Sequence, residues 1–280
     1  MTAEPRSELD GRECTASVNG TGVRVEEVGS GEQTVVFSPN PFTNRASFDA
    51  PVAALSGDYR CLSYDHRGQG DSGFGASQPS PDRLGTEGLY EDAVALLEQL
   101  GVDSCHWVGS SIGGMVGVRV AARHPELVRS LVLLGFSTRR QDMGQVNFVA
   151  GGFGGLVTGS LMRGMFGKTF MSDPARAEER ELWRQWFATL LVPKAAPMHR
   201  AVLGHPGTPP ELLAQVEAPT LIIVGEDERP PLLDDCAQAQ RDIPDARLVT
   251  IPGAGHVILI EQPDAGTAAI TEFIRGVDAA

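Results

Sequence analysis

One heptapeptide constrains this chain more than any other: Val108-Gly109-Ser110-Ser111-Ile112-Gly113-Gly114. A mostly apolar run over 105–108 leads into it, and a small-residue helical pattern over 115–122 leads out. Gly-x-Ser-x-Gly between a strand and a helix is a nucleophile elbow, a turn so sharp that only small residues can flank the serine. It would push the Ser111 hydroxyl into solvent at the C-terminal end of a strand. The Ser111 and Ile112 N–H groups would then stand at a helix N-terminus, where developing negative charge is favoured. The simpler reading is a Gly/Ser-rich turn without chemistry, and the rest of the chain decides between the two.

Around the elbow, strand and helix patterns alternate. Residues 14–28 alternate apolar and polar positions about Asn19-Gly20, which predicts a leading β-hairpin. Strands are expected at 34–38, 59–64, 104–108, 128–134, 220–225 and 247–251. Helices are expected at 48–55, over the Leu89, Val94, Leu97, Leu100 spacing, after the elbow, and at 232–243 and 261–274. Such alternation implies a mostly parallel sheet covered on both faces. The rhythm breaks over 137–207, which reads as an inserted helical cap between two core segments, 1–136 and 208–280. The insertion carries Gly151, Gly152, Gly154 and Gly155 and a crowd of large side chains: Phe148, Phe153, Met162, Met165, Phe166, Phe170, Met171, Trp183, Trp186 and Phe187. Most of these are expected to pack on one another, with some lent to a pocket wall, and the glycines would suit either a moving gate or close helix packing.

Charge narrows the partners. With 23 basic against 36 acidic residues the net charge is −13, so nucleic acid and anionic membrane surfaces are not expected partners. The polar opening segment, with Glu4, Glu8, Asp10 and Glu13, lacks the apolar stretch of a secretory signal, and no later run is long enough to span a bilayer. A cytoplasmic location is the expectation. Cys14, Cys61, Cys105 and Cys236 are scattered, which suits reduced structural thiols better than a disulfide or a zinc site. No phosphate-binding loop, dinucleotide fingerprint or metal-ligand cluster is present in the sequence, so no cofactor is expected. Whether the chain forms a homodimer is left open.

A serine nucleophile needs a base, and the base needs an orienting acid. His256 is the best base, because Gly253-Ala254-Gly255-His256 directly follows the last expected strand and glycines there can present an imidazole to the sheet edge. His66, His106, His124, His199 and His205 fit less well by position. The acid should follow the strand over 220–225, where Glu226, Asp227 and Glu228 stand in a row and at most one can hold the imidazole. The resulting chain order is serine, acid, histidine.

With these segments stands a fourth, Asp65-His66-Arg67-Gly68-Gln69-Gly70-Asp71-Ser72-Gly73. Together they resemble the α/β-hydrolase superfamily over about residues 20–277, and most closely its enol-lactonase-like and meta-cleavage hydrolase branch. That resemblance implies an α/β fold with a mostly parallel sheet of about eight strands, helices on both faces and an inserted helical cap. It implies a structural role for the 65–73 loop. It places the acid at Glu228, three residues past Gly225, with Asp227 the alternative. It implies that the loop after the 34–38 strand donates a second backbone N–H to an oxyanion. Here this chain departs, reading Ser38-Pro39-Asn40-Pro41-Phe42. Pro41 falls in the donor slot and has no N–H. Either Phe42 N–H or the Asn40 amide takes over, or the usual oxyanion stabilisation is missing.

The expected activity is hydrolysis of an ester or lactone of a largely apolar small molecule bearing a carbonyl. Ser111, His256 and Glu228 or Asp227 would form the triad. Ile112 and residues 40–42 would supply the oxyanion site, with Ser110, Trp186 and Val257 as further substrate contacts. Two alternatives remain. One is hydrolysis of a carbon–carbon bond of the meta-cleavage type. The other is a non-hydrolytic member of the fold, a cyclase, lyase or ligand-binding protein of secondary metabolism, kept open by the Pro-Asn-Pro loop.

Overall fold

The computed structural model describes residues 9–73, 81–139, 154–190, 200–201 and 204–280. Phe148, Gly151, Gly152, Phe153 and His199 lie outside them. Eight strands form one sheet: β1 (Arg12–Val18), β2 (Thr21–Val28), β3 (Thr34–Ser38), β4 (Arg60–Tyr64), β5 (Cys105–Ser110), β6 (Val128–Leu134), β7 (Thr220–Gly225) and β8 (Ala246–Ile251). Their spatial order is β1-β2-β4-β3-β5-β6-β7-β8. The β1–β2 and β2–β4 pairs are antiparallel and every later pair is parallel. The leading hairpin turns at Asn19 and Gly20, with φ of 44° and 77°. Asn-Gly tolerates this left-handed pair, whose twist matches the flanking strands.

The central strands are apolar at successive positions because both faces are covered, as a parallel sheet requires. Val36, Trp107, Leu131, Leu133 and Ile222 enter one buried cluster; Val35, Phe37, Val108, Val132, Leu134, Leu221 and Ile223 enter the other. Side chains therefore alternate between two cores, following the period of the strand. The helices are α1 (Asp49–Leu55), α2 (Pro81–Leu84), α3 (Thr86–Gln99), α4 (Ile112–Arg123), α5 (Gly154–Met165), α6 (Lys168–Ser172), α7 (Ala177–Leu190), α8 (Pro210–Leu213), α9 (Pro230–Asp242), α10 (Ile258–Glu261) and α11 (Pro263–Asp278). Helices α3 and α4 pack on the first core, α1 and α11 on the second. Cys61 and Cys105 are buried in β4 and β5, where each thiol serves as a small apolar group.

Helices α5 to α7 form an insertion between β6 and β7. Met162, Met165, Phe166, Phe170, Trp183, Trp186 and Phe187 pack into a third buried cluster, closed by Phe42 and Val257 from the sheet side. The Met and aromatic stripe is thus largely the insertion's own core, docked on two loops at the C-terminal ends of the strands.

The 65–73 loop is held by charge. Arg67 Nε and Nη2 reach Asp92 of α3 at 2.8 and 2.7 Å, and Asn19 Nδ2 donates to the same carboxylate at 2.9 Å. Both ionic side chains are nearly fully buried. The pair ties the loop to α3 and to the hairpin turn rather than to the elbow itself. Removing one member of such a pair strands the other charge in a low-dielectric site. Arg67→Ala is therefore expected to lower stability by ~3–5 kcal/mol, read as a shift in urea midpoint at constant slope.

Candidate active site

The elbow is built from a close approach of backbone to backbone. β5 pairs with β3 so that Gly109 lies opposite Ser38. Helix α4 then leaves so tightly that a Cβ on Gly113 would stand 2.0 Å from the Ser38 carbonyl oxygen. No backbone shift could accommodate that atom cheaply, so the position demands glycine. Ser111 itself takes φ 52° and ψ −109°, a strained conformation for a residue with a side chain. Its carbonyl accepts the N–H groups of Gly114 and Met115 at 2.9 and 3.1 Å, starting the helix.

The two expected N–H donors fare differently. Ser111 N–H is engaged, donating to Leu134 O of β6 at 2.8 Å. Ile112 N–H has no acceptor among the described residues, as befits the first turn of a helix. It points where the partial positive charge of α4 is concentrated.

His256 sits on the loop after β8, half-buried. Its Nδ1 lies 2.8 Å from Glu228 Oε2. Glu228 is 6% exposed and its other oxygen accepts Arg229 N–H at 2.9 Å. Burial pushes the Glu228 carboxyl up, but the charge and hydrogen bond of His256, with the amide and guanidinium of Arg229, pull it further down, to a net value below 4.5. An ionised carboxylate can only accept, so Nδ1 carries the proton and Nε2 of a neutral ring is left as the acceptor. Nε2 has no partner among the described residues.

Asp227 is placed differently. Its Oδ2 accepts Thr169 N–H and Oγ1–H at 2.9 and 2.8 Å, and Oδ1 lies 3.2 Å from Lys168 Nζ. It faces the start of α6, not the imidazole. Of the two candidate acids, Glu228 alone meets His256.

The hydroxyl and the imidazole share the same sheet edge. The His256 ring lies against Gly135, where a Cβ would stand 3.1 Å from ring atoms Cε1 and Nδ1. Gly135 follows Leu134, whose carbonyl holds Ser111 N–H, and its φ of 57° also favours glycine. Ser111 Oγ makes no hydrogen bond to His256 or to any other described residue. Such contacts are commonly long in a site without substrate and tighten when one binds. Gly135 was missed at the sequence level. Its signal is a lone glycine directly after an apolar strand, facing no turn motif.

The Pro-Asn-Pro loop corrects one expectation. Phe42 N–H, a favoured replacement donor, is engaged: Asn40 Oδ1 accepts both Phe42 N–H at 2.8 Å and Thr43 N–H at 3.1 Å. Asn readily bonds the backbone two residues on, so the Asn-Pro-Phe order was itself the clue. Two donors on Oδ1 fix the orientation of the amide. Asn40 Nδ2 is thereby left as the outward donor, bonded to no described residue. Asn40 lines a cleft with Ser110, Leu134 and Val257. Pro41 and Phe42 are buried behind it. Trp186, expected in the pocket wall, lies in the insertion's cluster with its indole N–H donating to Phe42 O at 2.9 Å. Val257 packs in the same cluster. His66 is buried against Pro39 O at 3.1 Å, with burial pushing its imidazole down to about 4, so it stays neutral behind the loop.

Among the described residues, no group of three or more His, Cys, Asp or Glu side chains is arranged to hold a metal, and no helix is long and apolar enough to cross a membrane.

The family model described as the alpha/beta hydrolase family matches residues 35–270. This chain belongs to that family. Among known proteins it is similar to the karrikin insensitive 2 receptor IA of Petunia hybrida, 33% identical over 123 residues, 42% of each chain. The match therefore spans less than half the length of that receptor. In structure it is similar to the enol-lactonase from Burkholderia xenovorans LB400, with TM-score 0.83 and 24% identity over 94% of this chain and 100% of that one. It also resembles a thermophilic esterase from Thermogutta terrifontis, with TM-score 0.82 and 23% identity over 95% and 99% of the two chains. These likenesses show the fold.

The ion pair has a pH signature. Because the folded Glu228 carboxyl lies below its ordinary 4.5, the stability tied to its ionisation is complete above that pH. It is lost as pH falls through the lowered value. Glu228→Gln is expected to melt below wild type at pH ~6, with the gap closing as pH falls below 4.5, as followed by thermal unfolding across that range.

Proposed function

We propose that this protein is a serine hydrolase that cleaves an ester or lactone of a largely apolar small molecule through an acyl-enzyme. The observation that carries this reading is the His256–Glu228 contact at 2.8 Å, with Nε2 unengaged at the sheet edge that also holds Ser111. In this scheme Ser111 Oγ attacks the carbonyl carbon while His256 Nε2 takes its proton. The same proton then passes to the departing alkoxide. Glu228 keeps the ring in the Nε2-basic tautomer and stabilises its charged form. Water repeats the sequence on the acyl-enzyme. The oxyanion meets Ile112 N–H and, in place of the missing loop amide, Asn40 Nδ2.

The insertion acts as a cap over this site. The cleft beside Asn40 and Ser110 is lined by Phe48, Leu134, Val257 and Ile258, which favours an apolar substrate body, and the excess of acidic residues disfavours an anionic one. The fold neighbours named as an enol-lactonase and an esterase agree with a carboxylic ester or lactone. The engaged Phe42 N–H and the absent Ser111–His256 hydrogen bond are what favour the second reading, a ligand-binding member of the fold.

Labelling with a fluorophosphonate separates the two. Wild type is expected to label at Ser111, Ser111→Ala not at all, and His256→Ala far more slowly. A folded wild type that resists labelling would overturn the hydrolytic reading. On p-nitrophenyl butyrate, loss of Ser111 or His256 is expected to lower kcat by ~10⁴-fold or more. Asn40→Ala is expected to lower kcat by ~10²–10³-fold with little change in KM. Glu228→Ala should lose more activity than Asp227→Ala, and the reverse ranking would reassign the acid.

A further inference from the structure

Glu261 ends α10, is 2% exposed, and forms no salt bridge with a described residue. A carboxylate so buried is costly unless hydrogen bonds replace its water. Its acceptors are all backbone amides. Oε1 accepts Gly255 N–H at 2.9 Å and Val257 N–H at 3.3 Å, and Oε2 accepts Gly167 N–H at 2.7 Å. The first two amides flank His256. The third belongs to the turn between α5 and α6 of the insertion. The amide between the flanking pair, that of His256 itself, donates to Met165 O at the end of α5 at 3.0 Å. Three consecutive N–H groups of the histidine loop are thus held by one carboxylate and one insertion carbonyl. The same carboxylate holds the insertion.

We propose that Glu261 is a positioning residue that makes the seat of the His256 imidazole conditional on docking of the insertion at residues 165–167. The proposal rests on the hydrolytic reading of Ser111, His256 and Glu228. Lifting this turn would strip Oε2 of Gly167 N–H and His256 N–H of Met165 O together. The loop that carries the imidazole would lose its register at the moment the insertion left.

Neighbouring contacts concentrate on the same stretch. Asp227, beside Glu228, holds Thr169 and Lys168. Arg176, in the turn after α6, donates to Glu261 O at 2.6 Å and Ile260 O at 2.8 Å. Both loops that supply the imidazole and its acid are therefore bonded to residues 165–176. The docking of the insertion on the site is concentrated at this end. Burial raises the Glu261 carboxyl to about 7, against the pull of its three amide donors and of His256. Of the charged side chains nearby, His256 bears on it directly, Arg176 bonds its main-chain carbonyl, and Asp227 flanks Gly167, whose amide Glu261 holds.

The test is Glu261→Gln with p-nitrophenyl butyrate and fluorophosphonate as probes. Glutamine keeps the size but offers one acceptor oxygen and turns an NH₂ toward an N–H. The expected result is a ~10- to 100-fold fall in kcat and in labelling rate, with KM within ~3-fold of wild type. The acid limb of the kcat/KM profile should shift, because Glu261 takes up its own proton at about 7 and the substitution removes a titrating carboxyl from beside the imidazole. Glu261→Asp, which keeps a carboxyl, should restore the limb. A folded Glu261→Gln with wild-type kcat and an unmoved limb would overturn the proposal, even if it melted lower. Should neither variant fold, amide exchange on wild type decides. Gly167, Gly255, His256 and Val257 are expected to open together; Gly167 exchanging freely while the others stay protected would refute the coupling. A wild type that neither hydrolyses nor labels would count against the hydrolytic reading instead. His256-dependent labelling unaffected by Glu261→Gln would count against this inference alone.

Discussion

Everything at the candidate site depends on how closely α4 is allowed to approach the end of β3. With no side chain at Gly113, the helix starts directly against the Ser38 carbonyl. That contact fixes the angle at which the chain leaves β5, and hence the strained backbone at Ser111. It also sets what lies beyond Ser38, so the Pro-Asn-Pro loop faces the elbow rather than the solvent. A sheet with both faces covered supplies the rigidity for this, since two cores hold β3, β5 and β6 in register from either side.

Two adjacent carboxylates divide the work of joining core to insertion. Glu228 turns inward and meets the imidazole; Asp227 turns outward and caps α6. Neither role is a property of the residue type. Each follows from which side of the turn after β7 the side chain leaves. The insertion in turn reaches back through Trp186, whose indole N–H holds Phe42 O. The parts of the molecule that break the strand-helix rhythm are therefore bonded to the loops on which catalysis is proposed to rest.

Much of the fold was legible because its signals are local. The Asn19-Gly20 turn, the apolar strands, the helix after the elbow and the serine's small neighbours each declare themselves within a few residues. The contact of Glu228 with His256 was anticipated through family resemblance, but Asp227 could not be set aside, since its partner Thr169 lies 58 positions away in the chain. The engagement of Phe42 N–H was readable in principle from Asn before Pro, yet was overshadowed by counting backbone donors. Glu261 escaped notice because, at the head of the helix expected over 261–274, an acid looks like an exposed first-turn residue; the chain instead ends one short helix at Glu261 and starts the next at Pro263. Only the folded chain shows that its oxygens join the nearby histidine loop to an amide 94 positions away. What sequence conveys poorly, here, is which hydrogen-bonding groups are already occupied.

The locked amide of Asn40 has one more implication. Its carbonyl end is pinned by two backbone donors, so the side chain cannot rotate to present oxygen instead of nitrogen without breaking both bonds. The cleft wall therefore has a fixed polarity at this point, offering an N–H donor where a freely turning amide could offer either end.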